Sequence, residues 1–188
     1  MTELNVLELF SRLSVLKEGH FRLTSGRHSA KYMQCAALFE HPREAERVVA
    51  ELLPKLPDAV DAVAAPAIGG ILMGYETARA LGVRSVFAER EEGRMTLRRG
   101  FSVQPGEKIL LVEDVVTTGG SVREVMELLS EAGAKIVAVA SIVDRSGGTA
   151  AFGVPFIPLV SVAIETYTPE ECPLCRAGQP IVKPGSRN

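Results

Sequence analysis

Tryptophan is absent, and aromatic residues make up only 5% of the 188-residue chain. Any core must therefore be built from aliphatic side chains, as in α/β domains. A basic excess is missing too: 21 Lys and Arg stand against 23 Asp and Glu, for a net charge of −2. That balance excludes a surface made to neutralise a run of nucleic-acid phosphates, so any phosphate chemistry has to be local. No apolar run approaches the ~20 residues of a membrane span, and the start, Met1-Thr2-Glu3-Leu4-Asn5, lacks the basic and apolar regions of a signal peptide. The three cysteines, Cys35, Cys172 and Cys175, show no disulfide-framework spacing and suit a reducing compartment. A soluble cytoplasmic protein that binds neither membrane nor nucleic acid is expected, and the length suits one domain spanning 1–188.

Leu4, Leu7, Phe10, Leu13 and Leu16 recur near helical spacing and predict an amphipathic helix over 2–17, ended by Gly19. Residues 21–33 alternate around Ser25-Gly26-Arg27-His28 and predict a short hairpin. His41-Pro42 opens a helix running to about residue 53. From residue 59 onward, short apolar runs alternate with amphipathic segments, the pattern of βαβ units around a mainly parallel sheet. Strands are predicted at 62–65, 85–89, 108–113, 136–143 and 158–163, and helices at 71–81 and 121–132, closed by Gly82 and Gly133. A β-excursion is expected around 98–103, and the chain after Pro169 reads as loosely organised. The fold class is α/β, doubly wound, with a small N-terminal hood over about 1–40, a core over about 41–168 and a tail over about 169–188.

The strand Ile109-Leu110-Leu111-Val112 is apolar on both faces, as a central parallel strand must be. Glu113 and Asp114 stand at its carboxyl end, the edge where such sheets bind ligands. Val115, Val116, Thr117, Thr118, Gly119, Gly120 and Ser121 follow, leading into a helix with Val122, Val125, Met126 and Leu129 on one stripe. Paired glycines let successive N–H groups converge on an anion, and the hydroxyls and helix dipole add donors. The adjacent carboxylates would repel a bare phosphate but accept hydrogen bonds from ribose hydroxyls. A sugar phosphate satisfies both halves. The plain alternative is an ordinary βα turn with solvated acids. A Gly-Lys-Ser/Thr ending and a Gly-x-Gly-x-x-Gly run are both lacking, which disfavours kinase and dehydrogenase chemistry.

At these residues the chain resembles the type I phosphoribosyltransferases, whose donor loop is an apolar strand, two acids, two variable residues and a Thr/Gly-rich turn. The resemblance continues through Phe21-Arg22-Leu23-Thr24-Ser25-Gly26-Arg27, through Ala65-Pro66-Ala67-Ile68-Gly69-Gly70-Ile71 and through Asp144-Arg145, and is strongest to the orotate-using branch. It implies transfer of a phosphoribosyl group from phosphoribosyl pyrophosphate (PRPP) to orotate, in UMP synthesis. Glu113 and Asp114 would then hold the ribose hydroxyls and stabilise an oxocarbenium-like sugar. Residues 117–121 would hold the 5′-phosphate, with Val115 and Val116 in the same loop. The peptide Ala67, Ile68, Gly69 and Gly70 would face the pyrophosphate.

Arg90, Arg94, Arg98 and Arg99 surround Glu91-Glu92-Gly93 and read as a lid that carries guanidinium groups onto the leaving pyrophosphate, with Arg90 grouped with the two acids in catalysis. A solvated charged hairpin is the alternative. Arg145 would meet the orotate carboxylate, assisted by Thr117, with Ser25, Gly26, Arg27 and Tyr32 as the hood over the ring; a surface ion pair with Asp144 is the alternative. Magnesium is expected on PRPP oxygens, with no direct protein ligand. A homodimer sharing its lids across subunits is implied by the resemblance. The chain departs from better-known members at Thr24 and Gly69, where they have lysine, and in a lid of arginines. His20, His28 and His41 read as surface, hood or cap residues, and Cys172-Pro173-Leu174-Cys175 as half of a zinc knuckle that without a partner is a turn. The rival functions are transfer to a purine base, and a regulator that senses PRPP and binds nucleic acid.

Overall fold

A computed structural model describes residues 4–23 and 25–184. In chain order its elements are α1 (Val6–Arg12), β1 (Leu16–Arg22), β2 (His28–Met33), α2 (Ala36–Phe39), α3 (Pro42–Leu52), β3 (Ala62–Pro66), α4 (Gly70–Leu81), β4 (Arg84–Glu91), β5 (Arg94–Leu97), β6 (Lys108–Val116), α5 (Gly120–Glu131), β7 (Lys135–Asp144), β8 (Phe156–Ser161) and α6 (Pro173–Arg176). Six strands form one sheet in the order β5-β4-β3-β6-β7-β8. All its pairings are parallel except β4 with β5. β1 and β2 make a separate antiparallel hairpin, the hood.

Strand β6 shows why the sheet is doubly wound. Leu110 and Val112 join the apolar layer that holds Phe10, Leu38, Val48, Leu52 and Met73, whereas Ile109 and Leu111 join Val122, Val125 and Leu129 of α5 on the other face. Side chains alternate across the pleat, so four successive apolar residues fill two cores. Burying each such side chain fully contributes about 1.5–3 kcal/mol. Both crossover helices stop where the sequence stops them. Gly82 caps α4 at φ +70°, and Gly133 follows α5 at φ +85°, a left-handed conformation that glycine adopts without a Cβ penalty.

Several expectations need correction. The N-terminal helix is shorter than 2–17: its described part ends at Arg12, and residues 1–3 lie outside the described chain. Ser14 turns left-handed at φ +56°, and Val15 N–H donates to Phe10 O at 2.8 Å, a Schellman-type ending. Leu16 then opens β1, so the leucine spacing ran across two elements. Gly19 does not end a helix; it sits where the register shifts between Glu18 and Phe21, and the bulge lets neighbours His20 and Phe21 both point inward.

Strand β6 reaches Val116 rather than residue 113, because β7 continues beside it and pairs Val115 with Val143 and Val116 with Asp144. The β-excursion lies at Arg94–Leu97, not 98–103. Glu92 (φ +49°) and Gly93 (φ +84°) form a two-residue hairpin turn, so β5 pairs with β4 at once, and Arg99-Gly100 is itself a turn. The tail is ordered over its described residues, up to 184: α6 forms, and Tyr167, just before it, and Val182 bridge to His28 and Phe21 of the hood.

Candidate active site

The carboxyl ends of β3, β6 and β7 meet around Glu113 and Asp114. Both acids are half-buried. Glu113 Oε1 accepts from Asp114 N–H at 3.1 Å and Asp114 Oδ1 from Val115 N–H at 2.8 Å, so the backbone fixes both carboxylates. Burial, followed by the charge of Asp114, pushes the Glu113 carboxyl up to about 9. A carboxyl held half-buried beside a second carboxylate favours keeping its proton. The buried Cys35 thiol lies close enough to Asp114, Glu113 and Arg145 to feel their charges, and burial pushes it well above its ordinary range.

Residues 67–70 lie directly against the acids. A Cβ placed on Gly69 would come within 2.9 Å of Asp114 Oδ1, and one on Gly70 within 3.0 Å of Glu113 Oε1. The glycine found at 69 in place of the lysine of better-known members thus lets this backbone lean on the Asp114 carboxylate. The Ala67-Ile68 peptide is cis, and Ala67 N–H donates to Ala88 O at 2.7 Å, tying the turn to the base of the β4–β5 hairpin.

Beyond β6, residues Val115 to Val122 and Glu113 line a cavity of about 80 Å³. Gly119 is the N-cap of α5 at φ +76° and offers no capping side chain; Gly120 N–H reaches only Thr118 Oγ1, at 3.4 Å, so the start of the helix can still present N–H groups to an anion. Glycine is required there: a Cβ would meet the Phe152 ring at 2.8 Å. Arg123, which the sequence did not single out, braces the loop. It donates to Thr118 O at 2.6 Å and Ala151 O at 3.2 Å and stacks 5.2 Å above the centre of the Phe152 ring. Its position one turn into α5 was the available signal, but its partner Phe152 is 29 residues away in sequence.

Arg145 joins the same edge, because its N–H donates to Val116 O at 2.7 Å. The surface ion pair with Asp144 does not form among the described residues; the Asp144 carboxylate accepts from Ser146 N–H at 2.7 Å instead. Arg145 Nε is buried with no partner among the described residues, and burial holds its guanidinium below the usual arginine range. Tyr32 lies near it and packs on Phe21, with centroids 5.7 Å apart.

The remaining residues named from sequence are not gathered onto the acids. Arg27 donates to Thr166 Oγ1 at 2.8 Å and Thr166 O at 2.7 Å, while Ser25 and Gly26 form the exposed hood turn. Thr24 lies outside the described residues. On the β4–β5 hairpin Arg90 pairs with Glu124 at 2.8 Å, Arg98 with Glu91 at 3.3 Å and Arg99 with Glu89 at 2.6 Å.

Residues 34–151 match the family model described as the phosphoribosyl transferase domain. Over 98% of both chains the protein is 58% identical to an orotate phosphoribosyltransferase of Carboxydothermus hydrogenoformans. Over the whole of both it is 54% identical to one from Heliobacterium modesticaldum. The chain belongs to the orotate phosphoribosyltransferase family. Solved structures with the family's fold include an orotate phosphoribosyltransferase from Aeropyrum pernix, with TM-score 0.71 and 24% identity over 84% of this chain and 93% of that one. An adenine phosphoribosyltransferase from Thermoanaerobacter pseudethanolicus shares it too, with TM-score 0.63 and 19% identity over 70% and 88%. The fold alone therefore leaves the base open, and it is the whole-chain identity to orotate phosphoribosyltransferases that narrows it.

The raised Glu113 gives a pH test that needs no substrate. A carboxyl titrating near 4.5 when unfolded and about 9 when folded contributes stability in full below the lower value and loses it as pH rises through the upper one. Without ligand, Glu113→Gln should flatten the fall in Tm between about pH 5 and pH 9. Parallel Tm curves for wild type and variant would show that Glu113 ionises normally.

Proposed function

We propose that this protein transfers the phosphoribosyl group of PRPP to orotate, giving orotidine 5′-monophosphate and pyrophosphate in UMP biosynthesis. The carrying observation is the buried Arg145 Nε, which has no partner among the described residues although it sits beside the loop after β6. A buried donor left unpaired costs about 1–3 kcal/mol, and a planar guanidinium is suited to a carboxylate. Orotate carries one. Adenine and the other purine bases do not, which disfavours the purine reading, and the net charge of −2 disfavours a nucleic-acid regulator.

In this reading the 5′-phosphate sits on the N–H groups and hydroxyls of Thr117, Thr118, Gly119, Gly120 and Ser121. The ribose diol donates to Glu113 and Asp114. Arg145 holds the orotate carboxylate, with Thr117 and Tyr32 nearby and the hood turn Ser25-Gly26-Arg27 above the ring. As the bond from C1′ to pyrophosphate breaks, positive charge develops on the sugar, and the fixed carboxylates favour that state over the ground state. Pyrophosphate faces Ala67 to Gly70. Neighbouring carboxylates, one of them inclined to keep a proton by burial and by the other's charge, suit a hard cation with oxygen ligands, so the residues present fit magnesium carried in on PRPP and met through water. Magnesium would offset the charge of the leaving group.

Three of the four lid arginines, Arg90, Arg98 and Arg99, are paired with Glu124, Glu91 and Glu89, but exposed ion pairs contribute only about 0–1 kcal/mol each. Exchanging them for a pyrophosphate costs little. A homodimer is also proposed, with each lid serving its partner's site. Ile68, Leu72 and Tyr75, at the start of α4 and just before it, support it, being 86%, 53% and 62% exposed, an apolar face fit to be covered.

Mixing the protein with magnesium, PRPP and each of orotate, uracil, adenine, guanine and hypoxanthine tests the reading by ultraviolet absorbance. Turnover is expected with orotate alone. Turnover of a purine with orotate untouched would overturn it.

A further inference from the structure

Away from the acids, the hood and the tail bring together four groups that sequence reading kept apart. His20 lies at the bulge of β1, His28 opens β2, Cys172 is the N-cap of α6 and Cys175 lies in its first turn. Their ligand atoms all lie within 4.8 Å of one another. His20, His28 and Cys172 are buried. From the geometry we propose that these four side chains bind one structural zinc ion.

The hydrogen bonding around His20 carries the inference. Its Nδ1 lies 2.9 Å from Gln179 O, which can only accept, so Nδ1 bears the proton and a neutral ring leaves Nε2 with a bare lone pair. Three groups crowd that lone pair: His28 Nδ1 at 3.1 Å, Cys172 Sγ at 3.5 Å and Cys175 Sγ at 3.6 Å. Cys175 Sγ also lies 3.2 Å from His28 Nδ1. One acceptor cannot serve three donors, whereas a central cation serves all four groups at once. With Zn–N of about 2.0–2.1 Å and Zn–S of about 2.3 Å, the edges of a tetrahedron around zinc are about 3.3–3.8 Å. The four spacings just given fall within a few tenths of an ångström of those edges, and the remaining two lie within 4.8 Å.

Two sulfurs and two imidazoles select a tetrahedral, moderately soft ion, and zinc is its usual occupant. On loading, both thiol protons leave to solvent, and two thiolates with one divalent cation make a neutral centre that can be buried. The bond from His20 Nδ1 to the Gln179 carbonyl is the outer contact that fixes a ligating imidazole's tautomer and orientation. Local structure prepares the rest. Pro173 starts α6 and places Cys172 and Cys175 one turn apart, and the β1 bulge turns His20 inward.

The backbone already joins the same pieces, through Val182 N–H to His20 O at 2.8 Å and His28 N–H to Tyr167 O at 2.9 Å. An ion here would pin the tail, 152 residues from His20 in sequence, to the hairpin whose turn carries Ser25, Gly26 and Arg27.

The test uses the full chain purified under reducing conditions without chelator or affinity-tag metal, its metal content read by plasma mass spectrometry. About one zinc per chain is expected, with Cys35→Ser retaining it and the double variant Cys172→Ser, Cys175→Ser falling below about one tenth. Because the double variant could misfold, the wild-type chain is also stripped and titrated with Co²⁺. Intense visible bands of tetrahedral cobalt with thiolate-to-metal charge transfer, displaced by one equivalent of Zn²⁺, are expected. Zinc-free protein whose cobalt spectrum stays that of the hydrated ion would overturn the proposal, and so would a zinc-free chain with Cys172 and Cys175 joined in a disulfide.

Discussion

Replacing Asp114 by Asn should lower turnover by about 10²- to 10³-fold while changing PRPP affinity by no more than about threefold. The substitution is nearly isosteric, and an amide oxygen can still accept from Val115 N–H as Oδ1 does at 2.8 Å. What disappears is a full negative charge held beside the turn 67–70, which the proposed function sets against the sugar. A ground-state diol is neutral and gains little from that charge; an oxocarbenium-like sugar gains much. Steady-state rates paired with calorimetric titration of PRPP separate the two. Equal losses in turnover and affinity would mean that Asp114 only binds.

The second large effect concerns Arg145. Arg145→Met should raise the KM for orotate by about 30- to 150-fold, equivalent to about 2–3 kcal/mol for a hydrogen-bonded charge, with the KM for PRPP changed by less than about threefold. The same variant should raise the Tm of the substrate-free protein, because it removes a buried Nε that has no partner among the described residues and whose burial is costly. Opposite signs for binding and stability mark a group kept for its ligand rather than for the fold. A variant that loses stability and orotate affinity together would instead point to a structural arginine.

The parallel core was legible because β6 carries four apolar residues in succession between charged ends, and because Gly82 and Gly133 mark helix ends with the one residue that turns left-handed freely. The candidate site's centre was legible as a grouping for the same reason: paired acids and a Thr/Gly-rich turn at a strand's carboxyl end are local in sequence. What sequence did not show depends on distant partners. Gly69 could be read as a departure from lysine, but its reason is the Asp114 carboxylate 2.9 Å from where a Cβ would stand. Arg123 acquires a role only once Phe152 folds beneath it. Leu13 and Leu16 kept helical spacing across a chain reversal at Ser14, so periodicity alone lengthened the first helix. His20 and His28 gave no sign of meeting Cys172 and Cys175, since a β-bulge and a wrapped tail bring them together.

The most direct measurement is a crystal structure of the protein soaked with PRPP and magnesium. Density for the 5′-phosphate among the amides of residues 117–121, with both ribose hydroxyls on Glu113 and Asp114, is the expected result. PRPP bound elsewhere, with that turn vacant and the acids facing only water, would contradict it.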